Sequence, residues 1–342
     1  MSDIDVAMAR ALLLARRGPS SDPNPRVGCV VLDDAGEVVG EGWHEGAGSP
    51  HAEVAALARA GTAAHGGTAV VTLEPCGHTG RTGPCTAALI TAGVARVVFA
   101  RPDANPDAAG GAQRLRAAGI HVSQIEDLGL RTEADALVAR WQQAQDLGRP
   151  VVTWKFASTL DGRGAAADGT SQWITGAPAR QDVHDLRADA DTILVGTGTA
   201  WTDDPRLTVR DRRGADRPQQ PRRAVMGLRG LRPGSVLERT GATVLDTRCP
   251  HEALRRLWAL GSRHVWLEGG ATLAAVFWQA RLVDHVVAYV APAFLGLGAP
   301  AVADLGIGSI DAIARLRLDD VTRLGDDLRL MLTPTPDPTE GA

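Results

Sequence analysis

The chain has 342 residues, 44% hydrophobic and 22% charged, with a formal net charge of −4 and 39 glycines. Two domains of ordinary size are expected, because this length exceeds what one hydrophobic core usually serves, and the composition excludes a disordered or fibrous chain. A single tyrosine, four phenylalanines and no basic cluster beyond short runs such as Arg212-Arg213 argue against a nucleic-acid surface, so a small-molecule partner is expected.

Asp3 and Asp5 precede the apolar Ala11-Leu12-Leu13-Leu14 run, the wrong order for a signal peptide. Residues 4–17 carry apolar positions at helical spacing, and 27–32 is a continuous apolar run before the Asp33-Asp34-Ala35-Gly36 turn and a second strand over 38–42. Helices over 51–60, 84–92, 109–118 and 130–146 then alternate with strands over 68–73, 95–99 and 120–123. That alternation predicts a sheet covered by helices. Gly148 and Pro150 end the last helix, which places domains at 1–147 and 148–342.

The second half opens on a strand over 151–158, and strands over 191–195, 222–226, 263–267 and 284–290 alternate with helices over 177–189, 250–259 and 270–280. It closes on a hairpin of 315–321 and 327–332. Residues 211–240, rich in Arg, Gly and Pro, read as a surface excursion, and no helix is expected after Gly196-Thr197-Gly198. The longest apolar stretch, 282–297, is broken by Asp284, His285 and Pro292, so no membrane span is expected. The four cysteines, Cys29, Cys76, Cys85 and Cys249, are too few and too uneven for a disulfide framework, which fits a soluble cytoplasmic protein.

The strongest chemical signal lies in the first half. His51-Ala52-Glu53 opens a helix, Pro75-Cys76 ends a strand, and Cys85 starts the next helix. One imidazole and two thiolates suit Zn²⁺ with a fourth position left for water, and the ion's role there is to make that water nucleophilic near neutral pH. Glu53 is placed to shuttle the proton, so deamination of an amino-substituted heterocycle follows. His-x-Glu with a later Pro-Cys-x-x-Cys is the zinc-deaminase signature, but here eight residues separate the cysteines. Two other readings stay open: a purely structural zinc with His78 as fourth ligand, and buried thiols that hold no metal. Cys29 and Cys249 fall in no metal spacing.

The stretches Pro23-Asn24-Pro25-Arg26-Val27-Gly28-Cys29, His51-Ala52-Glu53, Glu74-Pro75-Cys76-Gly77-His78-Thr79-Gly80-Arg81-Thr82-Gly83-Pro84-Cys85 and Asp103-Ala104-Asn105-Pro106 resemble the bifunctional riboflavin-biosynthesis deaminase/reductase family. The resemblance implies an α/β fold with two parts, an N-terminal cytidine-deaminase-like α/β/α domain and a C-terminal dihydrofolate-reductase-like α/β domain. It further implies that Asn24, His44, His78, Arg81, Asp103 and Asn105 line a pocket for a phosphoribosylated aminopyrimidine.

In the second half, the runs beginning at Lys155, Ser171, Arg187 and Asp203 resemble the reductase of the same family. By that resemblance Ala157, Trp173, Thr199 and Asp203 contact NADPH, while Ser171, Arg187, Leu207, Arg210 and Glu268 face the substrate. Gly270, Ala271, Thr272 and Leu273 begin a helix after a strand, so their backbone N–H groups suit the cofactor diphosphate. The third glycine of the dinucleotide fingerprint is absent after Gly196-Thr197-Gly198. Gly227-Leu228 stands where the family usually has Asp-Ser, which motivates a rival reading: an active deaminase with a degenerate, non-reducing second domain. A homo-oligomer, dimer or higher, is expected.

Overall fold

The structure, a computed structural model, describes residues 2–19, 22–77, 83–103 and 110–335. It divides into two compact units, Met1–Asp146 and Leu147–Ala342.

The first unit runs α1 (Asp3–Ala15), β1 (Gly28–Leu32), β2 (Val38–Trp43), α2 (Ala52–Ala60), β3 (Thr68–Leu73), α3 (Cys85–Ala92), β4 (Arg96–Arg101), α4 (Gly111–Ala117), β5 (His121–Gln124) and α5 (Leu128–Leu147). Its sheet has the order β2-β1-β3-β4-β5, antiparallel at both β1 pairings and parallel beyond β3. Because helices cover both faces, the inner strands are apolar throughout rather than alternating. Val30, Val70 and Val98 pack with Met8 and Leu12 of α1 and Ala134 of α5. On the opposite face Cys29, Val31, Val71 and Val97 pack with Ala52 and Ala56 of α2, Leu89 of α3 and Leu115 of α4.

Helix α2 touches β2 backbone to backbone. A Cβ built on Gly42 would stand 2.3 Å from the Ala52 carbonyl oxygen, and one on Gly40 would stand 2.3 Å from that of Ala56. The two glycines therefore set how close the start of α2 comes to the sheet.

The second unit runs β6 (Val151–Thr159), α6 (Ala177–Arg187), β7 (Thr192–Gly196), α7 (Thr197–Asp203), β8 (Arg222–Met226), α8 (Val236–Arg239), β9 (Thr243–Leu245), α9 (Pro250–Ala259), β10 (His264–Leu267), α10 (Ala271–Gln279), β11 (His285–Ala291), β12 (Leu316–Leu324) and β13 (Asp327–Pro334). The sheet order is β12-β13-β11-β6-β10-β7-β8-β9, parallel from β11 to β9 and antiparallel at the β13 pairings. Helices α9 and α10 cover one face through Leu254, Leu257 and Phe277. The other face is covered through Ala179 and Val183 of α6, Ala200 of α7 and Leu237 of α8.

Two expectations are corrected here. A helix does follow Gly196: α7 forms although Gly and Thr are poor helix formers, because Ala200 is buried in the core beside Ile193 and Val195. Residues 211–240 are not one surface excursion either, since β8 ends in three buried residues and α8 is capped by Ser235, with Leu237 fully buried. Strand β9 is too short, at three residues, to leave a sequence pattern.

Gly42→Ala is expected to lower unfolding free energy by about 1–3 kcal/mol, because the added methyl has only backbone to meet. Urea unfolding followed by fluorescence of Trp43, one residue away, measures it, and an unchanged midpoint would show that the close contact can relax freely.

Candidate functional site

In the first unit the chemistry gathers where two helices begin. His51 is the N-cap of α2, a position usually held by Ser, Thr, Asp or Asn, and its ring makes no capping bond. It is turned to sulfur instead: Nδ1 lies 3.1 Å from Cys85 Sγ and 3.6 Å from Cys76 Sγ. Cys85 is the first residue of α3, and its backbone N–H donates to Cys76 Sγ at 3.4 Å. The partial positive charge of a helix start favours thiolate there.

The hydrogen bond with Cys85 brings the Cys76 thiol down to about 4, against the opposing effect of burial, while the same bond and burial push Cys85 up. The bond with Cys76 raises His51. Three groups sharing protons in this way are a set that a cation can displace protons from.

The three ligand atoms lie within 4.8 Å of one another. Tetrahedral zinc, with bonds of about 2.3 Å to sulfur and 2.0 Å to nitrogen, separates its ligand atoms by roughly 3.5–3.8 Å, so the set fits the ion. Among the described residues no fourth His, Cys, Asp or Glu joins the group. His78, the candidate fourth ligand, lies outside the described residues, as do Arg81 and Asn105.

Glu53 sits in the first turn of α2, only 4% exposed, and burial raises its carboxyl. Asn24 Nδ2 lies 3.1 Å from Nε2 of the buried His44, whose Nδ1 lies 3.3 Å from the carbonyl oxygen of Pro50, next to His51. Asp22, which the sequence did not single out, accepts from the Asn24 and Ala47 backbone N–H groups at 2.9 and 2.7 Å. Trp141 of α5 donates its indole N–H to Pro23 O at 2.9 Å, which holds the Asn24 turn from below. Asp103 is half-buried beyond the end of β4.

In the second unit the candidates cluster beyond the carboxyl ends of parallel strands, where α/β sheets usually bind ligands. Arg187, the last residue of α6, donates Nε to Glu268 Oε1 at 2.5 Å and Nη2 to Oε2, so the two predicted substrate residues are bound to each other. The Trp266 indole donates to the same carboxylate. Burial alone would raise Glu268, but the Arg187 charge and bonds hold it down at about 2. Arg187 also donates to Thr208 O at 3.3 Å.

Among the described residues, Thr208, 4% exposed, has no hydrogen-bond partner for its hydroxyl, and His184 Nδ1 and Arg210 Nε are likewise buried without partners. Three unsatisfied polar groups around the Arg187–Glu268 pair point to a polar ligand. His184 and Thr208 were missed in the sequence. So was Lys155, the sole lysine, whose ammonium is lowered by burial beside Glu268 and Arg187.

Gly270, the N-cap of the nine-residue α10, has no side-chain cap, and its own N–H donates to Thr199 Oγ1 at 3.1 Å. The N–H groups of Ala271 and Thr272 open the helix, a position that favours an anion, while that of Leu273 donates to Gly270 O at 3.1 Å. Ala157 lies within β6, and Leu207 is buried at a positive φ of 48°. Trp173, Asp203 and Ser171 are exposed, and Arg180 stacks 4.6 Å from the Trp173 ring centroid. Ser171 has no hydrogen bond to the other candidates among the described residues.

The geometry agrees with comparisons to known proteins. Residues 1–101 match the cytidine and deoxycytidylate deaminase zinc-binding region, and residues 150–330 match the RibD C-terminal domain. The riboflavin biosynthesis protein RibD of Mycobacterium tuberculosis is 47% identical over 91% of this chain and 91% of its own. That of Escherichia coli is 42% identical over 95% of this chain and 98% of its own. The solved structure of Acinetobacter baumannii RibD superposes with a TM-score of 0.84 at 40% identity, covering 98% of this chain and 99% of that one. A Thermotoga maritima diaminohydroxyphosphoribosylaminopyrimidine deaminase/5-amino-6-(5-phosphoribosylamino)uracil reductase superposes with a TM-score of 0.79 at 29% identity, covering 97% and 99%.

The buried ion pair generates an acid-sensitivity prediction. Glu268 is depressed on folding, so its contribution is present above the ordinary glutamate range and is lost as pH falls from about 4.5 toward about 2. Denaturant titrations at pH 7 and pH 3 are expected to differ by roughly 2 kcal/mol on this account. Glu268→Gln should lose about 3–5 kcal/mol at pH 7 by stranding Arg187, and should remove most of that acid dependence.

Proposed function

The chain belongs to the RibD family of bifunctional riboflavin-biosynthesis deaminase/reductases, and on that premise we propose which residues divide the work. The deaminase is assigned to residues 1–147 and the reductase to 148–342. The substrate is that of the Thermotoga relative's name, 2,5-diamino-6-(5-phosphoribosylamino)pyrimidin-4-one, deaminated at C2 and then reduced by NADPH from ribosyl to ribityl. A small molecule, not nucleic acid, is the partner. No helix among the described residues is long and apolar enough to cross a membrane, which fits the proposed cytoplasmic location.

One observation carries the deaminase assignment: His51, Cys76 and Cys85 present three ligand atoms within 4.8 Å, and a buried carboxylate that is not one of them sits two residues along the same helix. Zinc held by these three supplies Lewis acidity that makes a water nucleophilic. Glu53 takes a proton from the attacking water and passes it to the ring nitrogen and then to the departing amine. Asn24, held by His44, Asp22 and Trp141, reads the pyrimidine edge, with Asp103 across the pocket. His78, Arg81 and Asn105 complete the set.

For the reductase, NADPH supplies the hydride, and the chain holds the ring-opened sugar against it. The start of α10 with Thr199 takes the diphosphate, while Ala157, Trp173 and Asp203 flank the rest of the cofactor. Arg187, fixed by Glu268, and Arg210 bind the phosphate side, with Ser171 and Leu207 lining the substrate. The non-reducing alternative for the second domain finds no support in the match to the RibD C-terminal domain.

A homo-oligomer is proposed because β12, an edge strand, exposes Leu316, Leu318 and Val321 on one face, opposite Pro334, Leu332 and Leu330 of β13, close in sequence to exposed Ile310 and Ile313. Long apolar edges of this kind are ordinarily covered.

Purified protein is expected to carry one zinc per chain, release ammonia from the diaminopyrimidine substrate, and oxidise NADPH only after deamination. Glu53→Gln should keep the zinc and the reduction of deaminated substrate while losing deamination by about 10²–10⁴-fold; ammonia release at the native rate would remove Glu53 from its role. Light scattering should give a mass above that of one chain, falling to one chain in Leu318→Glu/Val321→Glu, and a monomeric native protein would end the oligomer proposal.

A further inference from the structure

Glu74 lies between β3 and the metal-ligand segment, is not among the three ligands, and has no part in the proton transfers. It is nevertheless buried, and each carboxylate oxygen is engaged: Oε1 accepts from the Ala112 backbone N–H at 2.8 Å and Oε2 from that of Asp103 at 3.3 Å. A buried carboxylate is costly unless satisfied in this way. The Ala112 amide belongs to the first turn of α4, whose N-cap, Gly110, offers no side chain.

Two more contacts bind α4 to the same short segment. Gly111 packs so tightly on Pro75 that a Cβ there would come within 1.7 Å of the Pro75 carbonyl oxygen, and Arg114 Nη1 donates to Gly77 O at 3.1 Å. Glu74, Pro75, Cys76 and Gly77 are thereby held along α4 on one side, while the Thr86 backbone N–H donates to Cys76 O at 3.3 Å from α3.

We propose that Glu74 is a positioning residue of the deaminase site: one carboxylate holds the strand end that delivers Cys76 and, through the Asp103 amide, the residue that faces the substrate. This rests on the deaminase assignment above. The spacing between metal and pocket is then set by a side chain that touches neither reacting group. Exchanging one oxygen for an amide NH₂ places donor against donor at one of the two bonds and leaves the other intact. His51 and Cys85 keep their helix-start positions, and Cys76 keeps the Thr86 and Cys85 N–H contacts from α3, so the damage falls on substrate placement rather than on zinc.

Glu74→Gln in the full chain tests this. The expected result is native zinc content, native NADPH oxidation with deaminated substrate, and a deamination KM raised about tenfold with kcat within about threefold. Hydrogen exchange should quicken in peptides holding Asp103 and Ala112. Unchanged KM with both amides still protected overturns the proposal, and so does loss of zinc in step with activity, which would make Glu74 a support of the ligands alone. Should Glu74→Gln not fold, Glu74→Asp withdraws the same carboxylate by one carbon, with the same expected and overturning results. A native chain that releases no ammonia would fail the deaminase assignment instead, and the exchange measurement would still decide whether Glu74 holds the two amides.

Discussion

The close seating of α2 on β2 is the constraint on which the first unit depends. A helix cannot approach a strand backbone to backbone while side chains stand between them, and Gly40 and Gly42 remove those side chains where Ala52 and Ala56 arrive. The start of α2 is thus fixed relative to the sheet edge, and His51, in the N-cap position, faces the sulfurs rather than its own backbone. Cys85 reaches the same point from the start of α3, and Cys76 from the end of β3 through the tight contact of Pro75 with Gly111. Each ligand is delivered by the terminus of a rigid element, which is how a site is held to the tolerance that catalysis needs.

The second unit places its polar groups by the same device on a larger sheet. The ends of β10 and β7 lie side by side, with the Glu268 backbone N–H donating to Leu194 O at 2.9 Å. The Arg187–Glu268 pair is costly to bury, and it does not satisfy the neighbouring His184 Nδ1 and Thr208 hydroxyl. A region arranged only for stability would close those groups onto one another. Here, among the described residues, they stay unsatisfied, in keeping with the phosphorylated-sugar site proposed above.

The fold and the metal set were largely legible in the sequence, for a physical reason. The ligands lie at the ends of elements with clear apolar periodicity, and short motifs record such ends well. The Arg187–Glu268 pair was not legible as a pair, because an ion pair between residues so distant in sequence leaves no local pattern. Helix α7 was hidden by its own composition: its stability comes from the burial of Ala200, and propensity alone argues against it. Asp22, Lys155 and His184 were missed because an isolated Asp, Lys or His looks alike whether solvated or buried. Glu74 was read only as part of a motif, since nothing in Glu-Pro-Cys tells which distant amides the carboxylate meets.

The strand order of the larger sheet also bears on how the chain is made. Strand β6 emerges first from the ribosome in its unit, yet Val151 pairs with His264 and Thr153 with His285, so its hydrogen-bonding neighbours are made only after the intervening strands and helices of the unit. Until then a run of buried-type residues, Val151 to Trp154, has no partner on either edge. The first unit, whose strands pair with near neighbours in the chain, is able to fold during translation, whereas the second must wait until β10 and β11 have been made. A nascent chain of this protein can therefore carry a folded first unit ahead of a second whose opening strand still lacks both its partners.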